Sequence, residues 1–152
     1  MIDGMADARS SVTTLRLEKS LTAPPERVFA AFVDADDFRQ WWGPAGFTVA
    51  DLQFEVVEKR DYRIAMQPSE GAAFHIRGTF LAVDPPRRVL YTFVYEPPDP
   101  DDQETVVTLT FEPTGPGTRL VVDHGPFKTE ARRELHRVGW TETLERLERS
   151  LP

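Results

Sequence analysis

The stretch KTEARRELHRVGWTETLERLERSL, Lys128 to Leu151, decides the fold. His136, Trp140, Thr143, Leu144, Leu147 and Leu151 recur at spacings of three and four, so a helix gathers them on one face. Away from them, Glu142/Arg146 and Glu145/Arg149 stand acidic residue first and four apart, as on a solvated face. A helix of about 22 residues is roughly 33 Å long, enough to span a small domain. A second apolar set, Ala131, Leu135 and Val138, lies nearly opposite Trp140 and Leu144, with Gly139 between. One straight helix cannot send both sets into one core. Either its first turns pack on the short helices or a partner chain, or it bends near Gly139. The gripping segment proper is expected over His136 to Leu151.

Before this helix the chain reads mostly as strand. Leu15 and Leu17 alternate with Arg16 and Glu18 over 14–21. Ala23-Pro24-Pro25-Glu26 then opens a short helix whose buried side is Val28, Phe29 and Phe32. Asp34 or Asp36 can cap a second, carrying Phe38, Trp41 and Trp42 up to Gly43-Pro44. Six further strands are expected over 47–57, 61–67, 73–83, 88–96, 104–112 and 118–125. Their separators, such as Asp84-Pro85-Pro86 and Pro113 to Gly117, are too short for crossover helices, so neighbouring strands pair antiparallel. Parity turns Tyr62, Ile64, Met66, Phe74, Ile76, Phe80, Tyr91, Phe93, Tyr95, Val107, Leu109, Phe111, Leu120, Val122 and His124 inward. The expected class is α+β: a seven-stranded curved antiparallel sheet around a long C-terminal helix, with two short helices after strand one. Residues 1–13 read as a flexible tail and 14–152 as a single domain.

Composition narrows the function. The 152 residues suffice for one core, and the absence of cysteine removes disulfides, thiolate metal sites and cysteine nucleophiles. No apolar run reaches membrane-spanning length and no signal peptide is evident, so the expected location is cytoplasmic. The net charge of −7, without a basic patch, argues against nucleic acid and anionic membrane as partners.

The chain then resembles a known family. The residues that carry the likeness are Ala23-Pro24-Pro25-Glu26-Arg27-Val28-Phe29, Trp41-Trp42-Gly43, Gly78 through Asp84-Pro85-Pro86-Arg87-Arg88-Val89, Thr118-Arg119-Leu120, and His136-x-x-Gly139-Trp140-x-x-x-Leu144-x-x-Leu147. In that order they resemble the START-like (SRPBCC) superfamily with its Bet v-type helix-grip fold, and within it the activator of heat-shock-protein ATPase homologue-like (AHSA-like) group. The resemblance covers about residues 14 to 150. It implies a space between sheet and helix, but no single activity: members include ligand-binding proteins and chaperone activators, and related branches include cyclases. Where the group usually has a Gly-Gly turn before its third strand, this chain has Glu58-Lys59-Arg60-Asp61, leaving that hairpin's register open.

The space is expected to be lined by Phe32, Trp41, Trp42, Phe47, Ile64, Met66, Phe74, Ile76, Tyr91, Phe93, Leu109, Phe111, Leu120, Val122, His124, His136, Trp140 and Leu144. Such an apolar wall suits a small hydrophobic or aromatic molecule, lipids included; the alternative is a collapsed core in which the rings fill one another's space. His124 and His136 are the candidate catalytic pair, because a histidine titrating near neutrality can act as acid or base in a cyclase or hydrolase. The plainer alternative is that each satisfies a backbone group. His75 has outward parity and is expected at the surface. No metal and no cofactor are expected, since no carboxylate is spaced to join the two histidines. Trp41 to Phe47 could form a lid or a rigid turn, and Pro97 to Asp102 reads as a solvated acidic hairpin tip. A chaperone partner remains a further alternative, and Leu81, Leu90 and Val94 on the outer sheet face leave a homodimer open.

Overall fold

The computed structural model describes residues 13–151. The tail expected over 1–13 thus lies, apart from Thr13, outside the described residues. Seven strands, β1 (Leu15–Leu21), β2 (Phe47–Gln53), β3 (Asp61–Pro68), β4 (Phe74–Asp84), β5 (Arg88–Glu96), β6 (Thr105–Thr114) and β7 (Gly117–Gly125), form one sheet. Its order is β1-β7-β6-β5-β4-β3-β2, with every neighbouring pair antiparallel. Between β1 and β2 come α1 (Pro25–Val33) and α2 (Ala35–Trp41); α3 (Glu130–Ser150) closes the chain. Hairpins link β2 through β7 in sequence, while β1 crosses to the far edge beside β7.

Alternation sets the core. In β3 Tyr62, Ile64 and Met66 are buried while Asp61 and Arg63 face water, and in β5 Val89, Tyr91 and Phe93 repeat the pattern. His75 is half-buried between Ala65 and Glu96 on the neighbouring strands. Pro25 sits in the first turn of α1, where its missing N–H costs nothing. Asp34 caps α2 by accepting from the Asp37 N–H at 3.0 Å, and the Trp41 indole donates to Ala31 O at 3.1 Å, fixing α2 against α1.

The second strand is shorter than its apolar run suggested, ending at Gln53 rather than residue 57. Its register slips between Val49 and Asp51, pairing resumes as far as Gln53↔Arg63, and the chain then leaves β3. Phe54 turns in against Phe38, with ring centroids 4.5 Å apart and planes stacked. The turn bonds instead to β4: the Lys59 N–H donates to Phe80 O at 2.7 Å, and the Phe80 N–H to Arg60 O at 2.9 Å. Lys59 has φ 73°, the left-handed region that glycine occupies freely. The turn that departs from the family pattern therefore keeps a glycine-like geometry without the glycine.

Helix α3 is one uninterrupted α-helix, started by Thr129, whose hydroxyl accepts from the Arg132 N–H at 3.0 Å. It buries Arg132, His136, Trp140, Thr143, Leu144 and Leu147, so the gripping face begins a turn earlier than expected. Leu135 and Val138 pack on neither short helix; each is 57% exposed. The solvated pair expected of Glu142 and Arg146 does not form either. Glu142 accepts from the Ala45 N–H at 3.2 Å, and Arg146 Nη1 donates to the carbonyls of Trp42, Gly43, Pro44 and Phe47 at 3.3, 2.8, 3.2 and 3.1 Å. Burial lowers the pKa of Arg146. Four carbonyls converging on one cation turn the 42–47 segment into a braced loop.

Candidate functional site

Space between sheet and helices is divided by Trp42. On one side Phe32, Phe38, Phe54, Tyr62, Phe80 and Tyr91 crowd together over β3, β4 and β5, leaving a void of only about 20 Å³. Tyr62–Phe80 and Phe80–Tyr91 centroids lie 5.1 and 5.8 Å apart, so this half is a packed aromatic core. On the other side an open cavity of about 580 Å³ lies between the free ends of β3, β4 and β5 and the first half of α3. That volume is in the range of sites for small organic ligands.

The cavity floor is Met66, Phe74, Ile76, Phe93 and Tyr95; the helix supplies Arg132, Leu135, His136, Val138, Gly139, Trp140, Glu142 and Thr143; the rim is Trp42 to Pro44 and Phe47. The exposed Leu135 and Val138 are thus accounted for, because they form the helix wall of this cavity. Gly139, next after Val138, also lines it, and a Cβ added there would meet nothing within 4 Å. A helical glycine with no steric requirement leaves room that any side chain would take.

Of the residues expected around a cavity, Trp42, Phe47, Met66, Phe74, Ile76, Phe93, His136 and Trp140 line the open one. Phe32, Ile64, Tyr91 and Leu109 instead border the small void. Trp41, Phe111, Leu120, Val122, Leu144 and His124 line neither space; all are buried in the core.

His124 and His136 lie beside each other, with centroids 5.1 Å apart, in different roles. The Trp140 indole donates to His124 Nδ1 at 3.0 Å, which makes Nδ1 the acceptor. The proton is then on Nε2, 2.8 Å from Thr105 Oγ1, and the Thr105 hydroxyl passes the chain on to Phe93 O at 3.3 Å. With both nitrogens engaged and 1% of its surface exposed, His124 is a structural linchpin between β6, β7 and α3. Burial, then the neighbouring His136, hold its pKa well below the ordinary histidine value, so it stays neutral.

His136 is 8% exposed, stacks on Phe127 at 4.6 Å, and makes no hydrogen bond among the described residues. Burial first, and the Arg132 charge second, lower its pKa to about 4. Tyr95 lies beside it, 5.5 Å between centroids, and its hydroxyl likewise has no hydrogen-bond partner among the described residues. Burial and the nearby Asp102 push the Tyr95 pKa up to about 12. Both groups are therefore neutral across the physiological range.

Sequence reasoning missed the charged end wall. The 97–102 segment is solvent-exposed over Pro97 to Pro100, as expected of a tip, but its aspartates are not free: Asp99, Asp101 and Asp102 close on Arg132 at 3.0, 2.6 and 3.2 Å. Arg132 and Asp102 side chains are only 9% and 8% exposed, so this clamp seals one end of the cavity. Three aspartates spaced along a proline-rich turn were the available signal, but their partner lay some thirty residues away in the helix. Among the described residues, no group of three or more His, Asp or Glu side chains is arranged to hold a metal ion.

A seven-stranded antiparallel sheet gripping a C-terminal helix, with two short helices across one end, defines the helix-grip architecture of the START-like (SRPBCC) superfamily. The family model for activator of Hsp90 ATPase homolog 1-like proteins matches residues 22–151, and the chain belongs to that family. An AHSA1 protein from Silicibacter pomeroyi is similar over 89% of this chain and 94% of its own, at 31% identity and a TM-score of 0.79. A protein from Chromobacterium violaceum is similar over 90% and 94%, at 27% identity and a TM-score of 0.81. A Nitrosomonas europaea protein at 24% identity and a TM-score of 0.77, covering 91% and 94%, shares the fold. Among curated proteins there is no match.

Proposed function

We propose that the protein binds a small hydrophobic or aromatic molecule in the open cavity between β3–β5 and α3. The observation that carries this is the asymmetry of the interior. Aromatic packing leaves about 20 Å³ on one side of Trp42, yet about 580 Å³ stays open on the other, walled by exposed Leu135 and Val138. Keeping two large apolar side chains in water is unfavourable by roughly 25 cal/mol per Å² of their surface, which an apolar ligand would recover. A cytoplasmic role fits this reading, and no helix among the described residues is long and apolar enough to cross a membrane. A screen of lipids, flavonoid-like aromatics and polyketides tests it, read by thermal shift and by quenching of Trp42 and Trp140 fluorescence. Absence of both signals with every compound would sink the proposal.

Acid–base catalysis is the weaker reading. His124 has spent both nitrogens, and His136, with a pKa of about 4 and no orienting carboxylate bonded to it, is a feeble base. A chaperone co-factor role rests on the family's description alone. Stimulation of Hsp90 ATP hydrolysis by the purified chain is the measurement that would establish it.

A further inference from the structure

The ligand's polarity can be read from what the cavity leaves unpaired. Resting on the binding function just proposed, we infer that the cavity selects an uncharged aromatic molecule bearing a hydroxyl, bound through His136 and Tyr95, and rejects its carboxylate analogues.

Two polar groups face this space without a hydrogen-bond partner among the described residues. His136 is more than nine-tenths buried, and the hydroxyl of the half-buried Tyr95 lies on the floor beside it. A buried polar group normally finds a partner, and one left open in a cavity marks where a ligand's polar group completes it. A neutral imidazole offers one acceptor and one donor nitrogen, and a phenol both donates and accepts; together they match a ligand hydroxyl in either sense. The rings around them, Phe74, Phe93 and Trp140, supply edges and faces for an aromatic body.

An anionic group meets the opposite situation. The cation at that end is Arg132, and Asp99, Asp101 and Asp102 already hold it. Lys128 lies close by, its ammonium donating to Pro100 O at 3.0 Å. Three carboxylates against these two cations leave the end wall negative. At the other rim Arg146 is engaged by four loop carbonyls and Glu142 adds a further negative charge. A carboxylate ligand would therefore approach like charge at the Arg132 end in a partly dry site, where the three aspartates already hold the guanidinium.

Isothermal titration calorimetry of the full chain near neutral pH, with naphthalene, 2-naphthol and 2-naphthoate as probes, tests the inference. The expected order is naphthol tightest, with naphthoate weaker by at least about tenfold, a difference well within what one satisfied or orphaned polar group produces. His136→Phe should bring naphthol down to the level of naphthalene while leaving naphthalene binding unchanged. Asp99→Asn, at a well-exposed carboxylate, should raise naphthoate affinity selectively. Naphthoate binding as tightly as naphthol, or naphthol affinity unaffected in His136→Phe, overturns the selectivity while leaving the apolar site standing. No heat with any of the three overturns both the selectivity and the binding function beneath it.

Discussion

Lys59 shows how a single residue can carry a geometry written for another. Its φ of 73° costs an L-residue roughly 1–2 kcal/mol, because the Cβ crowds the carbonyl that follows. Its N–H still donates to Phe80 O, so the turn is held from outside. Lys59→Gly should relieve that strain, less the entropy glycine loses on folding, for a net gain of about 0.5–1 kcal/mol in urea denaturation. The histidines make an opposite contribution. Both have folded-state pKa values below that of an unfolded histidine, so the unfolded chain takes up protons first as pH falls. Their stabilisation is present above about pH 6.5 and is lost on acidification, through about pH 4 for His136. Each adds up to about 1.4 kcal/mol per pH unit within that window. Chemical denaturation across it should therefore give a shallower pH slope for His136→Phe by about that amount; an unchanged slope would mean that His136 titrates normally.

At the scale of elements, the last helix was legible in its periodicity and misleading in its charges. His136, Trp140, Leu144 and Leu147 fall on the buried face as their spacing requires. Leu135 and Val138 looked like a contradiction because a wheel reports direction and not what lies there; an empty cavity has no sequence signature of its own. Arg146 and Glu142 have the spacing of a surface pair, yet the 42–47 loop offers five backbone partners that outcompete it. The loop's reach across the fold is not a local property, so no window of sequence contains it. Gly139 carries the prediction at this scale. Its added Cβ meets open space, and a mid-helix glycine costs about 0.8–1 kcal/mol relative to alanine. Gly139→Ala should raise the melting temperature by a few degrees. Gly139→Leu should fold as well and weaken naphthol binding, since its side chain extends into the space a ligand would use. Full retention of binding in a folded Gly139→Leu would place the ligand elsewhere.

For the whole molecule the question is what holds the middle of the sheet together. The strand order follows from short separators and alternation, and was legible because antiparallel hairpins leave little choice. The gap in the β4–β5 ladder was not, because it depends on a contact between three strands. Opposite Gly78, no pairs join β4 and β5 between Arg77↔Val94 and Phe80↔Tyr91, although the register is kept, and it shifts just beyond, between Phe80 and Ala82. There the Thr79 N–H donates to the Thr92 hydroxyl at 2.9 Å instead of a backbone carbonyl. Tyr62, paired with Gly78 from β3, passes over it and donates to Thr92 O at 2.6 Å. Gly78 is the gap that makes this possible: a Cβ would stand 1.9 Å from Thr92 O and 2.8 Å from the Tyr62 ring. The first obstacle is backbone, which cannot step aside without moving β5. Gly78→Ala should therefore cost about 3 kcal/mol or more, at the upper end of single substitutions. Tyr62→Phe should cost about 1–3 kcal/mol, the penalty of leaving Thr92 O unpaired. Phe74 and Ile76 of β4 and Phe93 and Tyr95 of β5 lie beside this break and floor the cavity, so a shift at the break should reach the cavity. Ligand affinity should accordingly fall in Tyr62→Phe, although Tyr62 lines only the closed void. Unaltered affinity alongside the expected stability loss would show that this contact braces the sheet without shaping the cavity.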